Sequence, residues 1–159
     1  MAMGLAMLTM THTAQAADLA LERYFSGKTQ ATGSFSAING VRRQFTVALT
    51  GRWNGKTLTL REDFHYSDGE RDTKTWRFTK TGEGRYTGTR EDVVGSTSVV
   101  IEGKVARFNY VVDLGTPAKP NRVHFYDRME LQADGTLVTT ALVTKFLFPV
   151  ARSKVVFSR

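Results

Sequence analysis

The sequence predicts an all-β chain. It reads as an antiparallel up-and-down β-barrel of about eight to ten strands with one short helix near the N-terminus. Three observations carry that reading. Segment after segment alternates apolar and polar residues with period two, the signature of a strand with one buried and one wet face. Gly-containing turn sequences separate the segments at regular intervals. Nearly every connection is too short for a crossover, so sequential neighbours must run antiparallel, and a long series of such strands removes its exposed edges by closing.

The clearest strand is Lys56–Tyr66. Leu58, Leu60, Phe64 and Tyr66 share one parity, and Thr57, Thr59, Arg61, Asp63 and His65 share the other. Upstream, Asp18–Ser26 is the one helix candidate. Asp18 stands at the capping position, Leu21 and Phe25 are spaced i, i+4, and Gly27 follows. Lys28–Ile38 leads to Asn39-Gly40, a strong hairpin signal, and Val41–Gly51 returns. Ser67–Glu70 turns the chain into Arg71–Lys80. Arg85–Asp92 and Ser96–Glu102 follow, and then Val105–Leu114, with Phe108, Tyr110 and Val112 on one parity. Gly115–Asn121 is the longest loop. Arg122–Gln132, Thr136–Phe148 and Val150–Arg159 complete the series, with Pro149 expected to break the ladder or sit at a bulge.

The chain has 159 residues, enough for one core, and no linker or composition shift marks a second one. It has no cysteine, which excludes disulfides, thiolate metal sites, thiol nucleophiles and lipidation of an N-terminal cysteine. The formal net charge is +7. Such a balance fits an anionic membrane surface or an acidic ligand. The basic residues do not cluster in sequence, so no nucleic-acid partner is expected. Residues 1–16 are apolar, carry no charged side chain and end in Ala14-Gln15-Ala16, an A-x-A cleavage pattern. The expectation is a signal peptide over 1–16, cleavage after Ala16, and a single mature domain over 17–159 in the periplasm.

The residues that stand out are polar side chains on apolar parities. Glu62 shares a face with Leu60 and Phe64, Asp127 with Phe125 and Met129, Arg43 with Phe45 and Val47, and Lys74 with Trp76 and Phe78. Lys145 lies in a segment whose two parities are both partly apolar. Three readings stay open. The charges form an internal ion-pair network that fixes strand register. Alternatively, Arg43, Lys74 or Lys145 grips a carboxylate or phosphate headgroup, with Trp76, Tyr110 and other aromatic residues lining the pocket and Glu62 and Asp127 beside it. In the third, Glu62 and Asp127 are raised in pKa as a catalytic acid and base. His65 and His124 lie on wet parities, and no metal or cofactor is expected.

The chain also resembles a known family. The run Leu19–Gly27 carries the likeness, with Gly33/Phe35, Arg43/Phe45/Val47, Gly51–Gly55, Leu58/Leu60/Glu62/Phe64/Tyr66, Asp68–Glu70 and Trp76. Tyr86/Gly88, Asp92-Val93 with Gly95, Val123–Leu131 and Lys145-Phe146 extend it. Together they resemble the DUF3833 family. The resemblance implies a lipocalin-like barrel of the bacterial envelope, and no established activity comes with it. Many members are lipoproteins; the missing cysteine here implies a soluble form. The family pattern has Asp-Asp-Trp where this chain has Tyr126-Asp127-Arg128. The functional expectation is binding of a small amphipathic or lipid-like molecule inside the barrel. The alternatives are an enzyme acting on a lipid-like substrate, or a packed barrel without a ligand.

Overall fold

A computed structural model describes residues 17–159. The expected signal peptide lies outside them. The elements are α1 (Leu21–Phe25), β1 (Gly27–Ala37), β2 (Arg42–Trp53), β3 (Thr57–Tyr66), β4 (Arg71–Gly82), β5 (Arg85–Thr89), β6 (Thr97–Glu102), β7 (Val105–Asp113), β8 (Arg122–Leu131), β9 (Leu137–Lys145) and β10 (Phe148–Ser158). The strands pair antiparallel in sequence order, and β10 closes on β1, so the barrel has no edge.

The alternation sets the register. β3 turns Leu58, Leu60, Glu62, Phe64 and Tyr66 inward, with Leu49 of β2 and Lys74 of β4 flanking Glu62. Outward faces carry mainly Thr, Ser, Lys and Arg, so the barrel is apolar within and polar without.

Three local expectations need correction. The helix is one short turn, Leu21–Phe25, with Ala20 rather than Asp18 at its N-cap and no side-chain cap. β5 ends at Thr89, not Asp92, because Arg90, Glu91 and Asp92 leave the ladder; Val94 then donates to the Val111 carbonyl. The last hairpin turns at Phe146-Leu147, inside the stretch expected as the strand Thr136–Phe148, with φ 49° and 68°. Nothing in that dipeptide signals a turn, since bulky side chains avoid positive φ. Pro149 sits at a register shift between Pro149 and Ala151, the expected bulge.

A helix this short is held by docking. Leu21, Tyr24 and Phe25 are buried, and α1 closes one end of the barrel. The Tyr24 hydroxyl donates to the carbonyls of Gly135 and Phe157. Glu22 accepts from Lys80 at 2.6 Å and from the Tyr86 hydroxyl at 2.5 Å. Lys80 and Tyr86 hold the Glu22 carboxyl below its usual range, against the opposing pull of burial. Gly51 admits the helix end: a Cβ there would lie 1.8 Å from the Phe25 carbonyl oxygen. This is the closed end. At the other end lie the β1–β2, β3–β4, β5–β6, β7–β8 and β9–β10 connections.

Candidate functional site

The closed half of the lumen is packed. Leu49, Leu58, Trp76, Phe78, Phe108 and Leu137 are among its buried side chains. The void inside it, bordered by Glu62, Trp76, Phe108 and Met129, is about 30 Å³. That is room for a water molecule and not for a lipid. Towards the open end, lumen-facing Phe35, Phe45, Phe64, Tyr66, Phe125 and Val155 are only half-buried. Phe45, Phe64 and Tyr66 form one aromatic cluster, with centroids 5.6–6.0 Å apart. Phe125 stacks on Tyr110 at 5.4 Å, and Tyr110 meets Trp76 edge-on at 5.2 Å.

A charged layer divides the two halves, and its centre is Arg90, which sequence reading missed. The guanidinium lies over Trp76 at 4.8 Å and over Tyr110 at 5.8 Å. Its Nε donates to Asp92 Oδ1 at 2.6 Å and its Nη2 to Asp92 Oδ2 at 3.1 Å. Glu62 Oε2 is 3.8 Å from Arg90 Nη1, too long for a hydrogen bond, and this buried oxygen has no hydrogen-bond partner. Burial pushes the Glu62 carboxyl up to about 7, with Arg90 opposing and Asp92, Glu91 and Asp127 reinforcing. Burial also pushes Asp127 up to about 6, against hydrogen bonding from Tyr110 and the charge of Arg90. Glu62, Asp92 and Asp127 thus lie around the Arg90 guanidinium, with the Lys74 ammonium 3.8 Å from Asp92. Burial beside so few cations favours the protonated forms of Glu62 and Asp127 relative to a free carboxyl.

The candidate residues fall into separate groups. Glu62, Trp76, Tyr110 and Asp127 belong to the Arg90 layer. Lys74 faces Glu62 across the β3–β4 register, but its ammonium turns to Asp72 at 3.1 Å and Asp92 at 3.8 Å. Arg43 reaches the rim, where it pairs with Glu70 at 2.6 Å and Asp68 at 3.2 Å and stacks over Tyr66 at 3.6 Å. Lys145 ends β9 on the lumen parity and donates to Asn121 Oδ1. Of these three cations, Lys145 alone has no carboxylate partner among the described residues.

Parity located the inward acids but not the direction of a long side chain, nor a loop arginine folding back into the lumen. The need was legible: two inward carboxylates required a cation. Lys80 shares the parity of Lys74, Trp76 and Phe78, and was legible in the same way. Among the described residues, no three His, Asp or Glu side chains converge as a metal site.

The wall itself carries a concavity of about 610 Å³ on the outside of β10, β1, β2 and β3. Its lining includes Thr32, Ser34, Gln44, Thr46, His65 and Lys154, and no carboxylate.

A closed antiparallel barrel with a helix across one end defines the lipocalin-like class. The S-type phycobiliprotein lyase CPES from Guillardia theta superposes with a TM-score of 0.60 at 10% identity, covering 89% of this chain and 93% of that one. The protein Rv2717c from M. tuberculosis superposes at 0.61 with 15% identity, covering 89% and 99%. At such identities the likeness is one of fold. No curated protein matches the chain. The chain belongs to the family described as "Protein of unknown function (DUF3833)", whose model matches residues 2–159.

Proposed function

We propose that the protein binds one small amphipathic anion, of the fatty-acid type, at the open end of its barrel. One observation carries the reading: the lumen is sealed and packed at the α1 end, while its aromatic lining is incompletely covered at the other. An apolar chain would lie against Phe35, Phe45, Phe64 and Phe125, above the floor set by Arg90 and Tyr110. Its carboxylate would meet Lys145 at the rim. Arg43 and Lys74 fit that role less well, since each already faces two carboxylates. The ligand is thus placed at the mouth rather than deep in the lumen.

The enzyme alternative fares worse. Glu62 has the raised pKa of an acid–base group, but the void beside it has no room for a substrate. The packed barrel describes the closed half alone. Export to the periplasm belongs to the same proposal and rests on the pattern of residues 1–16; intact-mass analysis of a periplasmic fraction would show a chain beginning at Ala17.

A titration with 1-anilinonaphthalene-8-sulfonate, an apolar body with one anionic group, tests the site. Saturable one-to-one binding is expected, weakened several-fold by Lys145→Gln and by Phe64→Ala and unchanged by Lys28→Gln on the outer wall. Binding indifferent to both mouth variants refutes the site.

A further inference from the structure

The same end of the barrel carries a feature that no lumen ligand explains. The β9–β10 hairpin ends in three consecutive large apolar residues directed at solvent: Phe146 is 84% exposed, Leu147 89% and Phe148 72%. Ile38, 80% exposed, projects from the neighbouring β1–β2 turn, which is tied to β10 by the Ile38 N–H to the Val150 carbonyl at 2.9 Å. Side chains of this size are seldom left in water together at a loop tip without a partner. The two central residues also hold positive φ, a conformation that Asn-Gly adopts freely and Phe-Leu does not. Folding alone would favour the opposite choice of residues.

The wall behind the tip identifies what would cover it. The chain has no Asp or Glu from Arg23 to Arg61 or from Gly135 to Arg159, and these stretches build β1, β2, β9 and β10. Closure of β10 on β1 makes them one continuous, acid-free face. Register aligns Leu142, Arg152, Ser36 and Arg42 in a row across its outside, with Lys154 beside Ser34 nearer the closed end. The rim acids Asp68, Glu70 and Asp113 lie on other strands or their connections.

We propose that this hairpin tip and the basic wall behind it dock the protein on an anionic lipid bilayer. The spacing suits that partner. Phe148 and Arg152 are four residues apart, about 13 Å along the strand. At the usual tilt of barrel strands that leaves about 10 Å along the barrel axis. A tip buried about 5–10 Å below the headgroup boundary would bring Arg152 and Arg42 to the phosphate layer. A convex apolar tip needs no complementary pocket in a fluid bilayer, and anionic headgroups supply the charge that the wall lacks. A docked tip would also turn the open mouth towards the membrane, although the inference does not depend on any lumen ligand.

Vesicle co-sedimentation of the whole protein tests it, with phosphatidylglycerol/phosphatidylethanolamine vesicles against phosphatidylcholine vesicles. The protein should bind the anionic vesicles at least ten-fold more tightly and lose most of that binding in 0.5 M salt. The double variant Phe146→Asn/Leu147→Gly should lose at least ten-fold in affinity while its melting temperature stays level or rises. Arg42→Gln/Arg152→Gln should lose several-fold. Three results would each overturn the proposal: no binding by the unaltered protein, equal binding to both vesicle types, or full binding by the Asn-Gly variant. A tip-dependent dimer seen by light scattering without vesicle binding would overturn it in favour of a second copy of the chain.

Discussion

Replacing Glu62 by Gln should stabilise the protein at high pH and leave it nearly unchanged at low pH. The folded carboxyl holds its proton up to about 7 against an ordinary 4.5. Folding therefore takes up a proton between these values, and stability falls as pH rises through that window. The full span corresponds to about 3 kcal/mol at 1.36 kcal/mol per unit. The attraction of Arg90, 3.8 Å away, is already contained in that folded value, so the span is the net effect of burial and the surrounding charges. The Gln variant should thus exceed the unaltered protein by about 1–3 kcal/mol at pH 8.5 and match it within about 0.5 kcal/mol at pH 4.5. Urea unfolding at both pH values reads the difference, with the fluorescence of the two tryptophans, Trp53 and Trp76, as the signal. Subtracting the two proteins at each pH cancels the titrating groups that do not couple to Glu62, and leaves in the difference the response of Asp127 to the lost charge. A Gln variant weaker by several kcal/mol at both values would mean that Glu62 is a fully paired carboxylate. Parallel pH profiles would mean that Glu62 does not titrate in this range. Either result refutes the account of the charged layer.

The other predictions concern the partners of that layer and the two ends of the barrel. Arg90→Leu leaves Glu62 without its cation and Asp92 with only the Lys74 ammonium at 3.8 Å, and should cost about 3–5 kcal/mol at pH 8. The loss should shrink towards pH 5 as Glu62 takes up its proton, which unfolding at the two pH values will show. Gly51→Ala sets a methyl group against the backbone of Phe25, where no side chain can give way. A loss of about 3 kcal/mol is expected, seen as a lower urea midpoint with exposure of the α1 segment in hydrogen exchange. Phe146→Asn/Leu147→Gly relieves two positive-φ positions and should raise stability by about 1–2 kcal/mol, read from the melting temperature.

The barrel was legible because inward and outward residues alternate so cleanly. Leu58, Leu60 and Phe64 against Thr59, Arg61 and His65 leave one choice of face, and Asn39-Gly40 fixes the first hairpin. The boundary errors share a cause. Asp18 looked like a cap and Arg85–Asp92 like one strand because local preference was the only guide, whereas docking of Leu21 and Phe25 and inward folding of Arg90 decided the outcome. Phe146-Leu147 reads as strand in any local scheme, yet the chain turns there with both residues at positive φ. At the site, parity found Glu62 and Asp127 but gave them the wrong cations. A one-residue alternation says which wall a side chain leaves, not which of several charges it meets across the lumen. The acid-free wall was present in the sequence as two separated stretches. It became a surface only when closure brought β10 against β1.

The open mouth as a ligand site is tested most directly by native mass spectrometry of the protein purified from the cells that make it, with solvent extraction of what it carries. One acidic amphipathic molecule per chain is expected, depleted in the Lys145→Gln variant and retained in Lys28→Gln. A ligand-free protein that also takes up no member of a fatty-acid series, or a ligand held equally by all three proteins, would contradict it.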